Sequence, residues 1–250
     1  MPTDTAIILR SVNYKESDRI YTLYTRDQGK ISAIARSARK SAKRFGGALL
    51  PYAVFEAVLN PSRRGNGNML VISEASLIYA NEGLGTNLAT LGVAGFLLEL
   101  LREAAPEHES SASLFDLTVQ ALRMLSDNLC LTPRVLLLSA GMRILAQSGL
   151  AMSVGRCNAC GKKVPSGRSV YFDAQRGGVV CTACGGGPIL LPSKVVDGLV
   201  FLEQHSMEEV ASLEVDADIL QQMLSAFEIF VQMHLEKQLR TPGYLDQLSP

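Results

Sequence analysis

With 250 residues, 47% hydrophobic and 19% charged, the chain can bury a substantial core, and its composition excludes intrinsic disorder. The formal net charge is zero, yet residues 1–80 carry 12 Lys and Arg against 6 Asp and Glu, and residues 81–250 carry 12 against 18. This asymmetry points either to a polyanionic partner for the basic part or to a surface kept soluble by its charge.

The opening "MPTDTAIILRSVNYKESDR" meets charge before any apolar stretch of useful length, so no signal peptide is read and a cytoplasmic location is expected. From Thr5 to Tyr79 five β-prone runs follow: "TAIILRSV", "DRIYTLYT", "KISAIAR", "YAVFEAVL" and "MLVISEASLIYA". "DQG" at 27–29 predicts a hairpin turn and "NPSRRGNGN" at 60–68 a longer loop. Five short strands in a small basic unit suit an OB-type barrel, and an SH3-like barrel has a similar count. In "YKESDR", Glu16 and Asp18 beside Tyr14 read as a turn held by local charge pairs with Lys15 and Arg19 rather than as an acid–base pair.

After Ala80 the pattern changes to apolar-periodic segments near 88–105, 113–130, 133–150, 194–206 and 216–240, which predict helices. Ser113 and Asp116 have capping-box spacing, Thr132-Pro133 suits a helix start, and Pro192-Ser193 opens the fourth segment. The run 88–105 contains Glu99, Arg102 and Glu103, so its apolar part is too short to span a bilayer and reads as a buried helix. The fold class expected is α+β: an OB-fold barrel over 1–80 and a helical domain over 81–250, with a Gly-rich cysteine module inserted at 155–188.

That module carries the most specific motif. "CNAC" at 157–160 and "CTAC" at 181–184 pair two C-x2-C knuckles, each followed by Gly (Gly161, Gly185). Cys157, Cys160, Cys181 and Cys184 can complete a tetrahedral sulfur shell, and a shell filled by protein leaves no site for substrate, which makes one Zn2+ ion structural. A disulfide pair conflicts with the missing secretion signal, and thioredoxin-like chemistry expects a single motif opening a helix. Cys130 reads as a buried small hydrophobe.

No catalytic constellation is visible. His108, His205 and His234 are scattered, "GK" at 29–30 lacks the spacing of a phosphate-binding loop, and "GNGN" at 65–68 is too short for a dinucleotide turn. The remaining chemistry is the segment "RSARKSAKRF" at 36–45, where Arg36, Arg39, Lys40, Lys43 and Arg44 occur without a carboxylate. Such side chains stay charged and present several donors to phosphates, and Arg63 and Arg64 in the 60–68 loop offer a second contact. Phe45 and Tyr52 flank the segment and are candidates for stacking on bases, although a small barrel also needs aromatics inside.

Residues 12–52 resemble the start of the RecO family of bacterial recombination mediators, through Tyr14, Glu16, Asp18, Ile20, Leu23, Thr25, Gly29, Arg39, Lys40, Arg44 and Phe45. The order of basic barrel, helical block and four-cysteine insertion is similar along the whole chain. The resemblance implies binding to single- and double-stranded DNA and annealing of complementary strands without ATP; since the residues assemble no catalytic site, no enzymatic activity is expected. It also implies work with RecR in loading RecA onto strands coated by the single-strand binding protein SSB, whose acidic C-terminal tail the helical domain receives. Ser37 stands where the family often has Gly, and Lys43 where it has a small polar residue. The competing expectation is a protein-interaction scaffold whose helices bind SSB or RecR with little direct DNA contact.

Overall fold

A computed structural model describes residues 3–38, 41–62, 69–235 and 239, with the side chains of 42 and 43 left out. Strands β1 (Thr3–Tyr14), β2 (Asp18–Thr25), β3 (Gly29–Ala35), β4 (Val54–Pro61) and β5 (Leu70–Tyr79) close a barrel in the order β1-β2-β3-β5-β4, with the short helix α1 (Ala42–Phe45) between β3 and β4. All pairings are antiparallel except β3 with β5, whose parallel contact a simple meander cannot make and which gives the OB-type arrangement. The barrel interior is filled by Ala6, Ile8, Tyr21, Leu23, Ile31, Ala33, Phe55, Leu59 and Ile72.

The intervening residues of the same strands face outward and are also buried. Ile7, Leu9, Tyr24 and Val54 belong to the core of the helical block, so the period-2 alternation of β1 serves two cores at once. At the 25–29 turn the barrel is pinned to the helices. Gly29 (φ 69°) brings its backbone so close to Glu109 that an added Cβ would lie 2.0 Å from that carbonyl oxygen. Lys30, only 8% exposed, donates from Nζ to the Arg102 carbonyl at 2.7 Å and pairs with Glu107 at 3.4 Å. Arg102 lies in the last turn of α2 (Leu88–Ala104), where the helix dipole favours a cation. Arg26 pairs with Asp116 at 2.9 Å and holds that carboxyl below its usual range.

The helical block consists of α2, α3 (Ala112–Ser126), α4 (Pro133–Gln147), α5 (Ser193–Gln204), α6 (Met207–Ala211) and α7 (Ala217–His234). No helix among the described residues is long and apolar enough to cross a membrane. Thr132 and Pro133 open α4 as expected, but α3 is capped by Ser111, whose hydroxyl accepts from the Leu114 amide, and not by Ser113. The predicted partner Asp116 is drawn to Arg26 of the barrel instead. A capping box does occur, between Ser206 and Glu209 at the start of α6, a helix that the apolar periodicity did not predict because it spans barely a turn. The cysteine insertion is also more ordered than expected. It contains β6 (Val170–Asp173) and β7 (Gly178–Val180), which form a three-stranded sheet with β8 (Ile189–Leu191), and Val170, Phe172 and Val179 pack into the helical core.

Replacing Gly29 by Ala should lower the unfolding free energy by about 2–4 kcal/mol, combining the left-handed backbone penalty with overpacking against Glu109. Gly46→Ala, also at positive φ (44°) but facing open space, should lose only about 1 kcal/mol. Urea unfolding compares the two, and equal losses would contradict the close approach.

Candidate nucleic-acid interface and metal centre

Strand β3 runs from the docked Gly29–Lys30 end to Arg36, a separation of roughly 20 Å along an extended chain. The basic segment therefore emerges at the end of the barrel remote from the 107–109 contact. Arg36 is exposed, and its carbonyl accepts from Arg44 Nη2 at 2.7 Å. Arg44 also donates from Nε to Ser41 Oγ at 2.9 Å, and its guanidinium lies 5.0 Å from the centre of the Phe45 ring. These contacts fix the Arg44 guanidinium while leaving its remaining N–H groups for other acceptors. Ser37 adopts a left-handed backbone (φ 54°), and its amide donates to Asp18 Oδ1 at 2.8 Å. Asp18 thus orders the start of the basic segment and is not paired locally with Lys15 or Arg19 as the turn reading expected; Arg19 instead donates to Asn13.

Of the other basic residues singled out, Arg39, Lys40, Arg63 and Arg64, together with the side chain of Lys43, lie outside the described residues. The two stacking candidates are turned elsewhere. Phe45 is 4% exposed inside the barrel, where it fills the end closed by α1. Tyr52 packs against the helical core and its carbonyl accepts from Asn81 Nδ2. Arg44 also lines a cleft on β4 and β5 together with Glu56 and Glu74, whereas the cleft on the β1–β3 side carries Lys15, Arg36 and Asp18.

The two cysteine knuckles meet. The Sγ atoms of Cys157, Cys160, Cys181 and Cys184 all lie within 4.8 Å of one another, and Cys160 and Cys181 are 3.9 Å apart. Each knuckle closes as its spacing demands. The Gly161 amide donates to the Cys157 carbonyl and the Cys184 amide to the Cys181 carbonyl, with Gly161 (φ 72°) and Gly185 (φ 94°) in the left-handed region that lets the chain turn away behind the sulfurs. The Cys181 amide, 3.3 Å from Cys157 Sγ, is the main cause of that thiol falling to about 6; burial opposes it, and the Cys160 and Ala159 amides reinforce it. Cys184 is pushed up to about 12, first by its contacts with the Cys181 and Cys160 sulfurs. Sulfurs so close cannot all ionise unless a cation neutralises them, so the cluster could hold one metal ion. Cys130, by contrast, is buried, and burial raises its thiol.

Two family models cover nearly all of the chain: Recombination protein O N terminal matches residues 1–81 and Recombination protein O C terminal matches residues 85–242. The chain belongs to the RecO family. The DNA repair protein RecO of Anaeromyxobacter dehalogenans strain 2CP-C is 34% identical over 250 residues, covering 98% of this chain and 96% of the relative. Those of Desulfatibacillum aliphaticivorans and Myxococcus xanthus are each 29% identical and cover 98% of this chain. The RecO models meet between residues 81 and 85, where β5 has ended and the 3-10 turn Glu82–Thr86 leads into α2.

The structure adds residues that the basic-cluster argument passed over, above all Asp18 as the acceptor that orders Ser37. A carboxylate at the first position of a strand carries no mark of a partner 19 residues away, although the family resemblance at Asp18 singles out the position. Titration of the reduced protein with Co2+ should saturate at about one ion per chain, with intense thiolate-to-metal absorption, and Cys157→Ser should abolish the signal. Saturation without thiolate absorption would exclude the sulfur cluster as the site.

Proposed function

We propose that this DNA repair protein is a recombination mediator that binds single- and double-stranded DNA through its barrel, anneals complementary strands without ATP, and is not an enzyme. The observation that carries this reading is the exposed pair Arg36 and Arg44 at the end of the barrel remote from the Gly29–Lys30 contact, with Arg44 held by Ser41 and by the Arg36 carbonyl. Phosphate recognition needs donors that are charged at neutral pH, and it gains where they are already oriented, as the Arg44 guanidinium is. Arg39, Lys40, Lys43, Arg63 and Arg64 extend the same charge in the sequence. The remainder of the chain, net acidic, suits protein contacts better than DNA. Residues 1–80 are then the DNA-binding unit, 81–250 the helical unit and 155–188 its metal module.

Membership of the RecO family supports partnership with RecR, loading of RecA onto SSB-coated strands, a helical seat for the SSB tail, and work in the cytoplasm. Leu129 and Leu131, 62% and 63% exposed at the corner between α3 and α4, favour a protein contact as well, as in the scaffold reading. That reading stands apart from the first because it requires RecR or SSB-tail binding without affinity for oligonucleotides.

The metal we assign is Zn2+ in a structural role. A tetrahedral shell with Zn–S bonds of about 2.3 Å has sulfurs about 3.8 Å apart. The spacing of 3.9 Å between Cys160 and Cys181 agrees, and with all four positions taken by protein the ion has no open place for substrate. Elemental analysis of protein purified without chelators should find about one zinc per chain, and a zinc content near zero in folded protein would contradict the assignment.

Binding of a fluorescent single-stranded oligonucleotide across a salt series tests the DNA reading. Changing Arg39, Lys40 and Arg44 together to Ala should weaken binding at every salt and flatten the log-affinity against log-salt slope by about 2, at roughly 0.7 per contact. An unchanged slope and affinity would move DNA off this segment, and absence of binding by the unaltered protein would favour the scaffold.

A further inference from the structure

A cleft of about 390 Å³ opens on the outer side of the barrel beside the basic segment, lined by Tyr14, Lys15, Asp18, Ile20, Ile34, Arg36, Ser62 and Met69. Its floor arises from a change of phase in β1. Before the irregularity between Ile8 and Arg10, the even-numbered residues Ala6 and Ile8 fill the barrel. After it, Val12 stands opposite Ile20 and Tyr14 opposite Asp18, while Ile20 in turn faces Ile34 and Ile34 faces Val71. Directly paired residues share a face, so Val12, Ile20, Ile34 and Val71 form an apolar row across four strands outside the barrel interior. A bulge has turned Val12 and Tyr14 outward, where unbroken alternation would have placed them inside.

The β1 end of this row lies open, with Val12 47% exposed and the neighbouring Tyr14 43%, whereas Ile34 in its middle is 8% exposed. Neighbouring exposed apolar side chains rimmed by polar groups mark a binding site. What surrounds them selects the occupant. Arg36 and Lys15 supply positive charge, with the Lys15 ammonium 5.4 Å from the centre of the Tyr14 ring. Asp18, already bound to the Ser37 amide, supplies acceptor oxygen at the edge. A flat apolar group with N–H donors on its rim and a phosphate attached matches that set.

We infer that this cleft receives one unpaired nucleobase of a DNA strand, with Tyr14 as its stacking wall, Ile20 and Ile34 as its floor and Arg36 on the adjoining phosphate. The inference rests on the DNA-binding reading and deepens it: phosphate contacts along the basic segment hold any strand, while the cleft holds only a strand whose base is out of a stack. Duplex DNA keeps its base faces covered and cannot offer one. The barrel would therefore distinguish single strand from duplex through Tyr14 and not through its arginines.

The test compares Tyr14→Ala and Tyr14→Phe with the unaltered protein, using a single-stranded oligonucleotide, the same strand with consecutive abasic sites, and a duplex, each across a salt series. Stacking does not release counterions, so Tyr14→Ala should weaken single-strand binding by roughly 5- to 100-fold with an unchanged salt slope, leave duplex binding as it was, and be restored by Tyr14→Phe. Abasic sites should cause a similar loss in the unaltered protein and little further loss in Tyr14→Ala. Single-strand affinity insensitive to Tyr14 and to abasic sites, in a protein whose binding still depends on Arg39, Lys40 and Arg44, would overturn the cleft alone. No oligonucleotide binding by the unaltered protein would overturn the DNA reading with it.

Discussion

Strand β1 has to be covered on both sides, and the arrangement of the molecule follows from that. Ala6 and Ile8 complete the barrel interior while Ile7 and Leu9 complete the helical core, so neither core closes without this strand. The burial of Lys30 against the Arg102 carbonyl and Glu107 adds a polar lock to the apolar seam. A buried ammonium is tolerated only where a helix end and a carboxylate meet it, so the lock also selects one orientation of the barrel. With one end of the barrel committed to the helices, its opposite end is the part free to bind a ligand.

The change of phase in β1 turns this constraint into an exposed apolar surface beside a cation. The same strand that is two-sided and buried near Ile7 becomes one-sided beyond Arg10, with its apolar residues outward beside Arg36. The metal centre obeys a similar logic on a smaller scale: β6 and β7 hold two knuckles in register, Phe172 anchors the sheet in the helical core, and Asn158 donates to the Arg176 carbonyl across the module. His234 at the end of α7 contacts the Ala174 carbonyl at 2.8 Å, so the module is bound to the helices at its base. A structural ion there would stiffen the connection between α4 and α5 and leave the barrel untouched.

Much of this was legible in the residues. The five β-prone runs coincide with the five barrel strands, the long apolar periods with α2, α3, α4, α5 and α7, and the C-x2-C spacing with a sulfur cluster of metal-binding size. What was hidden depends on tertiary context. Leu9 has no local feature that marks a bulge, so the outward turn of Tyr14 cannot be read from alternation. Asp116 has the spacing of a capping residue, and only the approach of Arg26, 90 residues earlier, diverts it. Phe45 sits in the most basic run of the chain and was drawn toward the ligand by that company, but a five-stranded barrel needs a plug at its open end, and Phe45 supplies it.

On the DNA-binding reading, the strand lies along the outer side of β1–β3 and the adjoining basic segment, and the helical block makes no contact with DNA. Amide hydrogen exchange of the full chain, with and without a single-stranded oligonucleotide at saturating concentration, tests it most directly. Added protection is expected in the turn at 15–17 and through residues 36–48, with no change in α2 through α4. Protection confined to the helices or to the cysteine module, with the barrel unchanged, would contradict it.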